Sequence, residues 1–393
     1  MIRVLYDHQA FQMQRFGGVS YYYARIIEGL AASVEASVSV RRSGNEYLDG
    51  LRSRLVYPVR NSGFIEDFMF GVNFPGKNRA YAARNSLFPR FDASALNSAA
   101  SLEAIRRGKC DLFHPTYYDP YFLDAIQDLP YVLTVHDCTH EQYPEFFGAS
   151  DRTFHDKKAV LDRAARIIAI SETTKRDLSR FYGIDGSRID VVYHGIDRME
   201  APSRPMGDAL RLPDRYLLYT GQRFHYKNWL FFVRAIAEVL LSYADLKLVC
   251  TGPDFSPGEK DYLADLGLSD RVVHLRSAFE DLPLLYSNAI AFVFPSLSEG
   301  FGLPILEAMA AGCPALLADI PVMREIGSAA ALYFSPKDMD SIRACVTSVV
   351  DDPELRRSLT LKGKARAADF LWGTACAKTL EVYRKAVGSA GIS

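Results

Sequence analysis

The sequence predicts two α/β domains of similar size whose sheets face each other across a central cleft. Three observations carry this reading. At 393 residues the chain exceeds one ordinary hydrophobic core and fits two units of roughly 150 to 200 residues. Short apolar runs alternate with helix-like stretches, the pattern of strands and crossover helices around a parallel sheet. Periodicity lapses over RMEAPSRPMGDALRLPD (198–214), where prolines and charges gather as in a linker. The expected division is an N-terminal domain over 1–200, a linker over 201–214, a C-terminal domain over 215–371 and a terminal stretch over 372–393.

The elements follow in order. IRVLYD (2–7), CDLFHP (110–115), YVLTVHD (131–137), RIIAIS (166–171) and IDVVYHG (189–195) are rich in β-branched and aromatic residues and read as strands. SYYYARIIEGLAAS (20–33) and ETTKRDLSRFYG (172–183) read as helices between them. The second half repeats the scheme with RYLLYTG (215–221), LKLVCTG (246–252), RVVHLRS (271–277), IAFVFPS (290–296) and CPALLAD (313–319). No sequence repeat links the halves, so the likeness is architectural. Open α/β sheets bind ligands at the carboxyl ends of their strands, which places a site in the cleft.

Composition narrows the class. A formal net charge of −1 argues against a dedicated nucleic-acid binder, which carries a basic surplus. The six cysteines are scattered with no CxxC pair, which suits a reducing cytoplasm and neither a disulfide framework nor a zinc site. MIRVLYDHQAF runs straight into a strand with no signal-peptide pattern, and no run reaches the ~20 apolar residues that span a bilayer. The expectation is a cytoplasmic protein, at most peripheral on the membrane. Residues 41–109 stand apart, with twelve Arg/Lys against six Asp/Glu and nine interleaved aromatics. Such a basic, aromatic insertion suits anionic lipid headgroups or a lipid-diphosphate ligand, or else an insertion whose aromatics are core.

The most informative stretch is PSLSEGFGLPILEAMAAGCP (295–314). IAFVFPS ends a buried strand, SEGFGL is a glycine-rich turn, and Pro304 suits the first turn of the helix PILEAMAAG. Glycines let main-chain N–H groups approach a ligand and the helix start adds partial positive charge, so the turn suits phosphate. Glu299 and Glu307 lie too far apart for a close carboxylate pair, about 12 Å even in a continuous helix. They suit two hydroxyl-bearing parts of one phosphate-linked ligand. The competing reading is a helix with an acidic first turn, favoured by its dipole.

This ExxxxxxxE segment resembles the signature of the GT-B-fold retaining glycosyltransferases, family 4 (glycosyl transferases group 1), and the resemblance covers nearly the whole chain. It implies two Rossmann-like domains and a nucleotide-diphosphate sugar as donor substrate, with no metal and no other cofactor. Glu299 would meet the donor sugar and Glu307 the nucleotide ribose, while the turn at Phe301, Gly302 and Leu303 meets the diphosphate. GQRFHYKNW (221–229) follows a strand and resembles the family's Arg/Lys pair, so Arg223 and Lys227 would neutralise the leaving diphosphate; its YKN form is similar to that of members using GDP-mannose. Gly17 and Gly18, between the first strand and a helix, do not form the GxGxxG dinucleotide fingerprint. The resemblance implies that they approach donor phosphate and acceptor. In TVHDCTH (134–140), His136 would contact the donor sugar; metal binding by His136, Cys138 and His140 is disfavoured because a strand end rarely closes such a site. His194 reads as a hinge-side structural position. HLRSAFEDLPLLYSNA (274–289) is similar to the segment over the base, which implies roles for Ser277, Ala278 and Leu282. The DMD at 338–340 reads as a helix cap rather than a metal motif. The implied partners are the nucleotide-sugar donor and a lipid-linked saccharide acceptor, with a peripheral membrane contact through 41–109 and no nucleic acid. The terminal FLWGTACAKTLEVYRKAV (370–387) would cross back onto the first domain.

Overall fold

The computed structural model describes residues 1–60, 76–87, 92–199, 212–276 and 279–390. The first half contains β1 (Ile2–Tyr6), β2 (Val34–Val38), β3 (Leu112–His114), β4 (Val132–Val135), β5 (Arg166–Ala169) and β6 (Ile189–Val191). These form parallel sheets ordered β2-β1-β3 and β4-β5-β6, and a parallel bridge between Phe113 and Tyr131 joins them side by side. The second half contains β7 (Arg215–Tyr219), β8 (Leu246–Cys250), β9 (Val272–His274), β10 (Ala291–Phe294), β11 (Ala315–Ala318) and β12 (Ala331–Phe334). They make one parallel six-stranded sheet, ordered β12-β11-β10-β7-β8-β9. Order reverses between β10 and β7, and that switch point opens toward the other domain.

Helices cover both faces of each sheet, so the inner strands such as AFVF and ALLA are continuous apolar runs. The two-residue period divides them between cores: Leu217 and Tyr219 face one layer, Tyr216 and Leu218 the other. In the first domain Val4 and Tyr6 join one core and Leu5 the opposite one. β2 and β12 have no counterpart in the sequence reading. Both lie at sheet edges, where polar residues are tolerated and the apolar signal is short; VEASV carries an exposed Glu35.

Two crossings join the domains. The chain leaves β6 through residues 192–199 and returns at Phe370, where the Ile196 amide donates to the Phe370 carbonyl at 3.0 Å. The long helix Trp372–Ala390 then packs against helix Gly18–Gly29 of the first domain. Its Tyr383 is fully buried, with its hydroxyl 2.7 Å from both the Tyr6 hydroxyl and His114 Nδ1. Residues 61–75 and 88–91, most of the basic aromatic insertion's aromatics among them, and most of the linker expected over 201–214 lie outside the described residues.

Tyr383→Phe strands two buried polar groups and should cost about 1–3 kcal/mol, read as a lower urea midpoint. An unchanged midpoint would show that this helix docks on shape alone.

Candidate active site

The cleft is built from turns at the carboxyl ends of both sheets. β10 ends at Phe294, and residues 295–302 lead into helix Leu303–Ala310. Gly302 caps that helix at φ +94°, a conformation that favours glycine. The helix begins at Leu303, one residue earlier than the sequence suggests, with Pro304 second, so Glu307 falls in its second turn. The dipole acts within the first turn, which removes the acidic-first-turn explanation for Glu307. The carboxyl is instead held among protein groups. Tyr286 donates to its Oε2 at 3.0 Å. Burial pushes the group up to about 7, the Tyr286 hydrogen bond pulls it down, and Asp197 across the cleft raises it.

Lys227, after β7, forms an ion pair with Glu299, Nζ to Oε1 2.7 Å. Burial alone would lower the ammonium, but the Glu299 carboxylate outweighs it and the group stands above its usual value. Arg223 is buried behind this pair. Its Nε donates to Glu259 at 2.7 Å and its Nη2 to the Pro253 and Asp254 carbonyls at 2.6 and 3.0 Å. Its Nη1 is buried without a partner among the described residues. Arg223 therefore ties the turn after β7 to the turn after β8, while Lys227 meets Glu299 directly.

The first domain closes over these turns. A Cβ on Gly18 would come within 4.0 Å of the Leu303 side chain. Gly17, Gly18, Tyr21 and Tyr47 face Leu282, Leu303 and Glu307 across a cavity of about 410 Å³. Beyond it the domains touch. Gly300 lies so close to the His136 carbonyl that a Cβ there would overlap it. Thr139 Oγ1 and Ser298 Oγ are 3.0 Å apart beside this contact. His136 is buried against Tyr22 and Tyr23, its imidazole pushed down to about 4 by burial and therefore neutral near pH 7, with Nε2 unpartnered among the described residues. Glu299 also lines a second cavity of about 730 Å³, together with Gln142, Tyr143 and Arg176 of the first domain.

The structure thus brings Gly17, Gly18, Leu282, Leu303 and Glu307 to one cavity and places Lys227 with Glu299 nearby. The Phe301 ring turns inward against His194, Tyr193 and Phe370, leaving its main chain at the turn. His194 packs between Tyr22, Phe301 and Trp372 where the chain crosses. Ser277 and Ala278 lie outside the described residues. Asp338 accepts from the Asp340 and Ser341 amides and caps helix Met339–Asp351. His140 stacks on Phe147 at 3.7 Å. Sequence reasoning missed Glu259 and Tyr286, which hold Arg223 and Glu307. For Glu259 a signal exists: SPGE begins a capping box. Neutral imidazole, a paired ammonium and carboxylate, and main-chain donors at a helix start together suit a ligand with hydroxyls and phosphates.

Residues 16–200 match the family model described as Glycosyltransferase Family 4, and residues 208–366 that described as Glycosyl transferases group 1. An O-antigen chain mannosyltransferase of Salmonella typhimurium is 30% identical over 223 residues, 56% of this chain. The match spans 61% of that relative, less than two thirds of its length. O-antigen chain mannosyltransferase B of Escherichia coli is 29% identical over 300 residues, 72% of this chain and 76% of the relative. Among solved structures, an Anabaena protein in complex with UDP-glucose superposes with a TM-score of 0.72 at 17% identity, covering 98% of this chain and all of that one. At that identity the likeness concerns the fold, which is GT-B.

Glu307 also ties stability to pH. Its folded-state value near 7 stands above the usual 4.5, so the folded chain holds this proton more firmly than the unfolded chain. The stability it brings is full below about 4.5 and lost as pH rises through about 7. Glu307→Gln should therefore exceed the parent in stability at pH 8 by on the order of 2 kcal/mol and match it near pH 4.5 in urea unfolding. A variant no more stable at pH 8 would contradict a buried, destabilised carboxylate.

Proposed function

This chain belongs to the group 1, family 4 glycosyltransferases, and on that footing we propose that it moves a hexose from a nucleotide-diphosphate sugar to a hydroxyl of a saccharide. Our best reading is mannose from GDP-mannose, passed to a lipid-linked saccharide in surface polysaccharide synthesis. The observation that carries the proposal is a single turn that sets Leu303 and Glu307 at a cavity facing Gly17 and Gly18 and holds Glu299 against Lys227. One ligand with a nucleoside at one end and a sugar at the other can reach from Glu307 to Glu299. The mannose preference is supported by the two O-antigen mannosyltransferases among the relatives. A UDP-sugar donor is the second reading, favoured by the UDP-glucose bound to the Anabaena neighbour.

On this reading the ionised Glu307 accepts hydrogen bonds from the ribose hydroxyls. The main-chain N–H groups at Phe301, Gly302 and Leu303 hold the diphosphate, with Gly17 and Gly18 near it. Lys227 moves from Glu299 to the phosphate, where its charge stabilises the leaving group. Glu299, so released, takes hydroxyls of the donor hexose, and neutral His136 adds a hydrogen bond through Nε2. Arg223, fixed by Glu259, holds the turns and adds positive potential from behind. The bond between the anomeric carbon and the phosphate oxygen breaks, the acceptor oxygen bonds to the same face, and the leaving diphosphate takes the acceptor's proton. Configuration is retained, and Lys227 and Arg223 supply the positive charge that the leaving diphosphate needs. The closed cleft limits loss of the sugar to water.

The test pairs donor and product. The purified chain is given GDP-mannose or UDP-glucose with lipid-linked saccharides extracted from cells that lack it. The anomeric configuration of the product is then read by NMR. Transfer with retention is expected, and Lys227→Ala should lower kcat by about 10²–10³ with a smaller change in donor KM. Inverted product, or full turnover by the variant, would overturn the mechanism.

A further inference from the structure

The cavity lined by Glu299 is the larger of the two, about 730 Å³ against about 410 Å³ for that beside Glu307, and its walls differ in kind. The cavity beside Glu307 offers glycine turns, Leu282, Leu303 and aromatic rings. The larger one offers Gln142, Tyr143, Arg176, Asp177 and Arg180 from the first domain, together with Glu299 from the second. A string of hydrogen bonds fixes this wall across the domain boundary. Gln142 donates to Asp177 at 2.9 Å and accepts from Ser298, next to Glu299, at 3.0 Å. The Tyr143 hydroxyl donates to the Leu297 carbonyl at 3.3 Å. Helix Glu172–Tyr182, which carries both arginines, is itself held from the other domain. Glu325 accepts from the Glu172 and Thr173 amides at 2.6 and 2.9 Å and from the Thr173 hydroxyl at 2.7 Å.

Arg176 and Arg180 stand one turn apart on that helix, both exposed. Among the described residues neither forms an ion pair, although Arg176 donates to Thr173 Oγ1 at 3.0 Å. Guanidinium and carboxylate groups grip paired oxygens in a forked geometry, and a ring such as Tyr143 offers a flat face to the carbon side of a sugar. The space exceeds what the single hexose of the donor needs.

We propose that this cavity receives the acceptor saccharide, with Arg176, Asp177 and Arg180 gripping its hydroxyls and presenting one of them to the donor beside Glu299. The assignment rests on the glycosyl-transfer reading above and adds to it where the acceptor lies and which groups choose it. Because both arginines are exposed, their replacement leaves the core intact.

The experiment measures transfer of labelled hexose into lipid-linked saccharides extracted from cells lacking this chain, with each substrate varied in turn. The double variant Arg176→Ala, Arg180→Ala is expected to raise the acceptor concentration for half-maximal rate at least tenfold and to leave the donor KM within twofold. Lysine at both positions should restore part of the loss, since charge returns without the fork. An unchanged acceptor dependence, or an equal rise for donor and acceptor, would overturn the proposal. If the parent protein binds donor yet transfers nothing to these saccharides, the acceptor reading itself falls, and this assignment with it. A parent that binds no donor instead defeats the glycosyl-transfer reading.

Discussion

Two domains share one site only if something fixes how they meet, and here that is the seat of Gly300 on the main chain of His136. No side chain fits between them. Close packing makes such a contact specific in the way a fluid interface is not. Around it stand the Thr139–Ser298 hydrogen bond, the Glu325 cap on helix Glu172–Tyr182 and the paired crossings at Ile196 and Phe370. The same turn carries Glu299, paired with Lys227, and leads to Glu307 beside Tyr286. One backbone constraint therefore fixes where both carboxylates stand relative to the first domain.

The groups around this contact are individually costly to bury. Glu307 is half-buried, with the Tyr286 hydroxyl donating to its carboxylate among the described residues. Lys227 and Glu299 are withdrawn from water together, and a buried pair of this sort offers weak net stability. His136 Nε2 and Arg223 Nη1 lack partners among the described residues, and buried polar groups are ordinarily satisfied. Local costs of this kind cluster where a ligand completes the arrangement. Hydroxyls for Glu307 and a phosphate for Lys227 are what the glycosyl-transfer reading supplies.

Much of the fold was legible because buried parallel strands are nearly continuous apolar runs, as RYLLY and AFVF show. VEASV and ALYF escaped because edge strands need no such run. The turn from Glu299 to Glu307 was legible because glycine, proline and acid sit at fixed spacing within one segment. What escaped depends on topology. Glu259 meets Arg223 across 36 positions and Tyr286 meets Glu307 across 21, distances over which no local pattern speaks. Arg223 and Phe301 were read as site residues, yet their side chains turn inward, which spacing alone does not reveal. The arginines at 176 and 180 carry no local signal, because the cavity they line is completed by the opposite domain.

The most direct test of the account is thermal stabilisation of the purified chain by GDP, UDP, ADP and dTDP at matched concentration, repeated on Glu307→Ala. A ligand at 100 times its Kd adds about 2.7 kcal/mol. One of the four is expected to stabilise the parent chain, with the gain lost in the variant. Stabilisation by none of them, or an equal gain in the variant, would contradict a nucleotide site at Glu307.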